Sequence, residues 1–357
     1  MAVPYYDLSI RTAAKATEDL PRHSEASIIE LKDGSLLMAW QRHEKSNQGS
    51  NDTAPGAIAL MNSFDGGKTW ENERIIAGMI EGSVNCYSPS FFRCKDGTIS
   101  LFFRRYMVLA PGKQSLSNVY RIDSTDEGKS FGPEQILWER KPYAPINHCI
   151  IHLASGASLM TLAYGEGTWL GADDKNSILV LRSEDDFKTW TISDPIRLPM
   201  RGAMEPYAAQ QANGRITMVM RTQLGSVFKS ESIDDGRTWS KPQTTGLRAP
   251  ESCPCVATIP GSDVQIVVWN HSEYDMTWAS HYGKRTPLTI ALSRDGLQTF
   301  TDFYDLETDP NRAFTNPSVM FTSDGFCLIP YWTCQYNAEG RMGGPIDLKL
   351  ARFRIHI

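Results

Sequence analysis

Two interleaved sequence repeats predict an all-β fold, a six-bladed β-propeller with Asp-box turns. One repeat has the form Ser-x-Asp-x-Gly-x-Thr-Trp, and the other is a turn glycine followed by an apolar run. Copies of each lie roughly 60 residues apart, which is long enough for the four antiparallel strands of one propeller blade. The chain has 357 residues, of which 41% are apolar, and this is ample for a large buried core.

The Asp-box repeat occurs five times and is not equally complete at each place. Its copies begin at residues 63, 124, 183, 232 and 293. Phe187 and Leu297 stand at the glycine position of the third and fifth copies. We expect the Asp and hydroxyl side chains to bond backbone groups within the turn, and the final aromatic residue to pack between strands. Such turns lie on the outer rim of a propeller, so the motif indicates the fold and says little about activity.

The turn glycine of the second repeat joins the first two strands of each blade. Its six copies are Gly34, Gly97, Gly156, Gly214, Gly261 and Gly325. Asp-Gly and Asn-Gly between apolar runs are strong hairpin signals. The sixth blade has no Asp box, and we expect a strand around residues 5–10 to complete it beside residues 347–357. No linker or low-complexity segment interrupts the repeats, so we expect one domain over residues 1–357.

The charge and composition disfavour several classes of function. The formal net charge is −5, which argues against a nucleic-acid-binding surface. No apolar run approaches the roughly 18 residues of a membrane-spanning helix, so no membrane partner is expected. Residues 1–20 lack a secretory pattern and the seven cysteines lack metal-binding spacing, so we expect free thiols and a cytoplasmic location. No motif predicts a metal or another cofactor, and none indicates the oligomeric state.

Propeller geometry predicts where the functional side chains meet. Inner strands start at one end of the axis and second strands return to that end, so residues at both places converge there. The residues assigned to catalysis in the resulting pocket are Glu25, Tyr87, His148 and Glu205. Those assigned to substrate binding are Arg22, His23, Arg42, Arg104, Asn147, Arg221, Glu251 and Asn316. The polar loop at residues 45–55 is expected at the same end, as a lid or as the source of a contact from Asp52.

Arginine is abundant among these pocket residues although the chain is acidic overall. A guanidinium fork binds a carboxylate through two hydrogen bonds. The predicted ligand is therefore an anionic sugar, such as a sialic or uronic acid.

The Asp boxes on a six-bladed propeller resemble those of the sialidase (neuraminidase) superfamily, also called bacterial neuraminidase repeat proteins, over essentially the whole chain. A second resemblance lies in blade 4, where Glu205-Pro206-Tyr207 is followed by Asn213-Gly214 and a strand that ends in Arg221. In that family the corresponding Glu activates a tyrosine nucleophile and the corresponding Arg binds the substrate carboxylate. The resemblance implies these roles for Glu205 and Arg221.

The chain also departs from the sialidase pattern at three places. Arg22 alone matches the family's Arg-Ile-Pro motif. The place aligned with the acid/base Asp holds Ser88, before Pro89, and the place aligned with the nucleophilic Tyr holds Asn316. We therefore expect an enzyme that lacks the usual tyrosine nucleophile and aspartate acid/base.

The leading hypothesis is an exo-glycoside hydrolase that acts on a terminal acidic sugar. Such an enzyme needs an acid and usually a second carboxylate, and Glu25, Glu205 and Glu251 are the candidates. A carboxylate close to several arginines stays ionised, whereas a desolvated one can hold a proton. The residue pattern leaves open which of the three is which.

Two alternatives remain open from the residues. A uronate lyase would use His148 or His23 as base with Tyr87 as acid, and Asn147 and Asn316 as neutral donors. Some propeller relatives of sialidases cleave uronate linkages in this way, often with a histidine. The third hypothesis is a glycan-binding propeller without catalysis, since the fold alone does not determine activity.

Overall fold

The computed structural model describes residues 4–107, 116–167 and 173–357. Within these ranges the regular structure consists of β-strands, and no helix there is long and apolar enough to cross a membrane. Four blades are four-stranded antiparallel meanders, and blades 1 and 6 are joined by a parallel pairing of Arg22 with Ile346. The predicted six-bladed β-propeller is confirmed.

The first five blades each take four consecutive strands of the chain. Blade 1 consists of β2 (Arg22–Glu30), β3 (Leu36–His43), β4 (Gly56–Ser63) and β5 (Glu71–Ala77). Blade 2 consists of β6 (Ser83–Arg93), β7 (Ile99–Met107), β8 (Ser117–Ser124) and β9 (Gln135–Lys141). Blade 3 consists of β10 (Tyr143–His152), β11 (Ser158–Gly165), β12 (Asn176–Ser183) and β13 (Thr191–Ile192). Blade 4 consists of β14 (Met204–Gln210), β15 (Ile216–Arg221), β16 (Ser226–Ser232) and β17 (Gln243–Arg248). Blade 5 consists of β18 (Cys255–Thr258), β19 (Gln265–Asn270), β20 (Leu288–Ser293) and β21 (Thr301–Glu307).

Blade 6 combines the two ends of the chain. It consists of β22 (Arg312–Thr315), β23 (Met320–Phe321), β24 (Phe326–Tyr336), β25 (Met342–Ile355) and β1 (Tyr5–Ala14). Strands β22 and β23 both pair with β24, and β1 pairs antiparallel with β25 as the outer strand. The prediction that the N-terminal strand completes this blade is confirmed.

The five Asp boxes share one hydrogen-bond pattern. In the first, Ser63 Oγ donates to Asp65 Oδ1 at 2.9 Å, the Gly67 amide donates to Ser63 Oγ at 2.8 Å, and Thr69 Oγ1 donates to Asp65 Oδ2 at 2.6 Å. Phe187 and Leu297 adopt φ of 60° and 63°, the left-handed conformation that glycine takes in the complete copies. Both side chains are buried in the core, so apolar burial offsets the strain of that conformation.

The core lies between neighbouring blades. The largest apolar cluster runs from blade 2 to blade 6 and includes Phe102, Leu181, Val219, Val267 and Ile329. These residues come from second and third strands, whose apolar faces pack on the next sheet. Stacking around the axis leaves the ends of the inner strands to form the site.

Candidate functional site

A cavity with two adjoining lobes opens at the end of the propeller where the inner strands begin. The large lobe has a volume of about 600 Å³, and its wall includes Tyr87, Arg104 and Tyr106. The small lobe has a volume of about 250 Å³, and its wall includes Arg22, Arg285, Asn316 and Trp332. The residues that line both lobes are Glu25, Asn51, Asp52, Glu205, Arg221 and His281. Side chains from all six blades and their loops therefore meet here, as the propeller geometry predicts.

A left-handed residue recurs within or just after the inner strand in five blades. These residues are Glu25, Ser88, His148, Glu205 and Asn316, with φ between 47° and 56°. The strand register is interrupted at the first four of them. A non-glycine residue in this conformation costs on the order of 1–3 kcal/mol, and such strain is characteristic of functional sites. The repeat therefore presents a bulged, left-handed residue in the inner strands of blades 1 to 4.

Glu25 is a buried carboxyl group without a strong cationic partner. Its Oε2 accepts a hydrogen bond from Ser88 Oγ at 2.9 Å. Among the described residues, no Lys, Arg or His nitrogen lies within 4.0 Å of its oxygens. Desolvation raises the pKa of Glu25, and the more distant charges of Arg22 and Arg104 oppose this only in part. Glu25 is therefore suited to hold a proton.

Glu205 and Glu251 are held in the ionised form by Arg221. Arg221 Nη1 donates to Glu205 Oε2 at 2.9 Å, and its Nη2 lies 3.1 Å from Glu251 Oε1. Cys253 Sγ also donates to Glu205, and Arg201 Nη1 donates to Glu251 at 2.8 Å. Burial alone would raise the pKa of both carboxyl groups, but the guanidinium charges hold both pKa values below the usual range.

Arg22 and the 45–55 loop meet at the small lobe. Arg22 is buried, and its Nη1 donates to Asp52 Oδ1 at 2.6 Å and to the Ser50 carbonyl at 2.9 Å. Asp52 lines both lobes, so the loop lies at the predicted end of the propeller, and its role as a lid or as a ligand contact stays a prediction. Its side chain is 58% exposed, so it lies at the rim of the cavity. This carboxylate was predicted as a loop contact and not as one of the catalytic groups.

Arg285 is a site residue that the sequence analysis did not single out. Its Nη1 donates to Thr315 Oγ1 at 2.6 Å and its Nη2 donates to the Glu251 carbonyl at 2.9 Å. The residue is 2% exposed, and among the described residues no carboxylate lies within 4.0 Å of it. It comes from the connection between β19 and β20, and so lies neither at the start of an inner strand nor at the end of a second strand.

His281 comes from the same connection and was also not predicted. It lines both lobes, and its Nδ1 lies 2.7 Å from Ser280 Oγ. Burial and then the charges of Arg285 and Arg221 lower the pKa of His281 well below its usual value. The imidazole is therefore neutral at physiological pH, and the same charges make it a weaker base than an ordinary histidine.

The two histidines predicted for the pocket lie behind its wall. His148 Nδ1 is 3.0 Å from Ser27 Oγ, and His23 Nδ1 accepts a hydrogen bond from Trp40 Nε1 at 3.0 Å. Burial lowers the pKa of each to about 4. Neither lines the two lobes, because both side chains pack against neighbouring strands. Their assignments as base or ligand stay predictions that this geometry does not favour.

Asn147 and Arg42 also lie outside the lining of the two lobes. Asn147 Nδ2 donates to the Ala26 carbonyl at 3.1 Å and so joins blades 3 and 1. Arg42 Nη1 donates to Glu73 at 2.9 Å, which gives Arg42 an ion-pair partner on the neighbouring part of blade 1. Glu251 does not line either lobe. It is connected to the site by ion pairs with Arg221 and Arg201, which do line the cavity.

An Asp-box propeller with a charged cavity on its axis defines the class of sialidase-like BNR repeat proteins. Residues 27–329 match the family model described as the BNR repeat-like domain. The chain belongs to that family. A search of curated proteins found no match.

Solved structures show how widely this fold is shared. A protein of unknown function from Dyadobacter fermentans DSM 18053 is 19% identical with a TM-score of 0.76, over 97% of this chain and 99% of its own. The NanB sialidase from Streptococcus pneumoniae is 13% identical with a TM-score of 0.72, over 99% and 71%. The intramolecular trans-sialidase from Ruminococcus gnavus, in complex with oseltamivir carboxylate, is 14% identical with a TM-score of 0.70, over 99% of each chain. At these identities the likeness is one of fold.

Proposed function

We propose that this protein is an exo-acting glycoside hydrolase that removes a terminal acidic sugar from a glycan. The observation that carries the proposal is the group of three buried arginines, Arg22, Arg221 and Arg285, at the small lobe. Arg285 has no carboxylate within 4.0 Å among the described residues, and a buried cation without a counter-ion is strongly unfavourable. A sugar carboxylate bound in the small lobe supplies that counter-ion. Two of the structural neighbours are named as sialidases, which is consistent with an acidic sugar.

The two cavity glutamates support a division of labour in hydrolysis. Glu25, with its raised pKa, donates a proton to the glycosidic oxygen as the bond to the anomeric carbon breaks. Glu205 stays ionised, faces the positive charge that develops on the sugar ring, and orients a water molecule. The water oxygen bonds to the anomeric carbon, and one proton of that water is transferred to the carboxylate of Glu205. Asn316 lines the small lobe at the place where the resemblance puts a tyrosine nucleophile. In this reaction Asn316 forms no covalent bond with the substrate.

His281 favours one alternative reaction, elimination from a uronate. Its neutral imidazole lines both lobes and is close enough to Arg285 and Arg221 for their charges to depress its pKa. A base there would remove the proton next to the carboxylate while the bond to the leaving oxygen breaks, which yields an unsaturated sugar and consumes no water. In this second candidate His281 takes the role that the sequence analysis gave to His148 or His23.

The test is to incubate the purified protein with sialylated and uronate-containing oligosaccharides and to weigh the products by mass spectrometry. Products that sum to substrate plus one water support the hydrolase, and products that sum to the substrate alone support the lyase. No cleavage across the panel contradicts both and leaves glycan binding without catalysis.

Glu25→Gln should lower hydrolysis by about 100-fold or more. Glu30→Gln, at the other end of β2 with its carboxylate on Ser323, is the matched control and should leave activity unchanged.

A further inference from the structure

Arg104 is a rigidly held guanidinium in the wall of the large lobe. It lies near the end of β7, is 6% exposed, and lines this lobe but not the small one. Its guanidinium carbon is 4.0 Å from the ring centre of Tyr87 and 4.7 Å from that of Tyr106. Its Nε donates to Ser88 Oγ at 3.3 Å. The two rings hold the guanidinium plane in place, which is the arrangement in which an arginine presents its edge to an anion.

This guanidinium has no dedicated counter-ion. Among the described residues no carboxylate oxygen lies within 4.0 Å of Arg104, and its Nη1 has no hydrogen-bond partner. Glu25, Glu205 and Asp52 attract it from a greater distance. Glu205 and Asp52 are each paired with another arginine. Glu25 is a weak counter-ion because burial raises its pKa.

Among the described residues that line the cavity, two buried arginines therefore lack a carboxylate within 4.0 Å, Arg285 at the small lobe and Arg104 at the large lobe. The carboxyl groups of Glu25 and Glu205 line both lobes and so lie where the lobes adjoin. A ligand that spans both lobes can bring a negative charge to each of these two arginines. The large lobe, at about 600 Å³, has room for a substituent or for a neighbouring sugar.

We propose that Arg104 binds a second anionic group of the substrate, so that the preferred substrates are glycans with two negative charges. The first charge is the carboxylate of the terminal sugar, and this part rests on the proposed function. The second is a sulfate ester or a second carboxylate, on the same sugar or on its neighbour. Both groups present planar or fork-like oxygen pairs that a stacked guanidinium can bind through two hydrogen bonds.

Sulfate binding by the purified full-length protein tests the second anion site without reference to any glycan. Calorimetric titration with sodium sulfate at constant ionic strength should show that Arg104→Gln weakens sulfate binding by about tenfold or more, the effect of losing charge-assisted hydrogen bonds. Arg93→Gln is the control, since Arg93 lies in the same blade and is paired with Glu127 at the opposite end. If Arg104→Gln does not fold, Arg104→Lys keeps the charge but not the fork, and should weaken binding by a smaller factor. An unchanged sulfate isotherm in the folded variant overturns the proposal.

Matched glycans then test the substrate class. The probes are sialyllactose, its sulfated form and disialyllactose, with chondroitin and chondroitin sulfate tetrasaccharides as the uronate pair. Wild-type protein should bind or cleave the doubly charged member of a pair about tenfold better, and Arg104→Gln should abolish this preference. Equal preference in wild type and variant overturns the inference while leaving the hydrolase intact. Loss of sulfate binding in Arg104→Gln, with no glycan cleaved by the wild type, contradicts the hydrolase while supporting the anion site.

Discussion

Glu25 and Glu205 occupy equivalent left-handed positions in the inner strands of blades 1 and 4, yet the pKa values of their carboxyl groups move in opposite directions. Among the described residues, only the Ser88 hydroxyl lies within hydrogen-bond distance of the Glu25 carboxyl group, and desolvation dominates its pKa. Glu205 is only partly buried, Arg221 lies 2.9 Å away, and the charge of Arg221 outweighs desolvation. One repeat position thus produces a proton donor in one blade and a stable anion in another.

The pH dependence of activity should follow Glu25. Because its pKa is raised, we expect the basic limb of kcat/KM to lie above the usual carboxyl range, where loss of this proton removes the acid. Glu25→Gln should lose most activity. The pH profile of its remaining kcat/KM should lack the basic limb that the ionisation of Glu25 causes in the wild type. A variant that cleaves as well as wild type, with the same basic limb, would contradict the assignment.

The stability of the wild-type protein relative to the same variant should also fall as pH rises. The folded-state pKa of Glu25 lies above its unfolded value, so the wild-type protein loses stability as pH rises through the folded pKa. Glu25→Gln removes this loss. Its Tm by calorimetry should exceed that of wild type near about pH 8, with a difference that shrinks toward about pH 4. A constant difference across this range would show that packing and not ionisation separates the two proteins.

Cys253 is a positioning residue for Glu205. Its thiol donates to Glu205 Oε2, and this hydrogen bond helps to hold the pKa of Glu205 below the usual range. Cys253→Ala removes the donor and should move the acid limb of kcat/KM to higher pH, whereas Cys253→Ser keeps a donor and should restore the limb. If the thiol serves only to fill space, Cys253→Ala and wild type will share the same acid limb, and their rates will differ by a constant factor.

The second Asp box contains a glycine at which an added Cβ would press against a neighbouring side chain. Gly128 has φ of 77°, and an added Cβ would lie 2.5 Å from Leu37 Cδ2. Gly156 has φ of 86° with no atom within 4 Å of such a Cβ, so Gly156→Ala measures the backbone strain alone. We expect about 1–2 kcal/mol of destabilisation for Gly156→Ala and a further 1–3 kcal/mol for Gly128→Ala, measured by urea unfolding. Equal losses would show that Leu37 can move aside.

The N-terminal strand should be necessary for a stable ring. The Tyr5 ring packs with its centre 5.6 Å from that of Phe353, and its hydroxyl donates to the Asp302 carbonyl at 2.7 Å. Tyr5→Ala should cost about 2–4 kcal/mol, whereas Tyr6→Ala, whose side chain is 47% exposed, should cost much less. We expect one cooperative transition in both variants, because β1 completes the last blade of the predicted single domain. Two transitions would contradict that prediction.

The sequence by itself determined the propeller. Each Asp box satisfies its turn with hydrogen bonds between residues at most four apart, and each hairpin glycine acts within its own turn, so both signals are local and repeat with the blade. Because each repeat marks where its strands begin and end, the sequence also predicted that residues near those strand ends, such as Glu25, Glu205 and Arg221, meet in the cavity. Only the tertiary structure showed that Arg285 and His281 belong to the site. Both lie in the long connection between β19 and β20, which has no local sequence pattern that predicts its path.

The tertiary structure also decided the charge state of the site. Some partners of these carboxyl groups come from other blades, with Ser88 63 residues from Glu25 and Cys253 48 residues from Glu205. Arg221, whose charge lowers the pKa of Glu205 most, lies in the same blade as Glu205. Burial and long-range pairing of this kind are properties of the folded ring, and no residue pattern along one strand contains them. The repeat therefore specifies where side chains meet, and the packing of the blades specifies which of them carries a proton and which is left without a counter-ion.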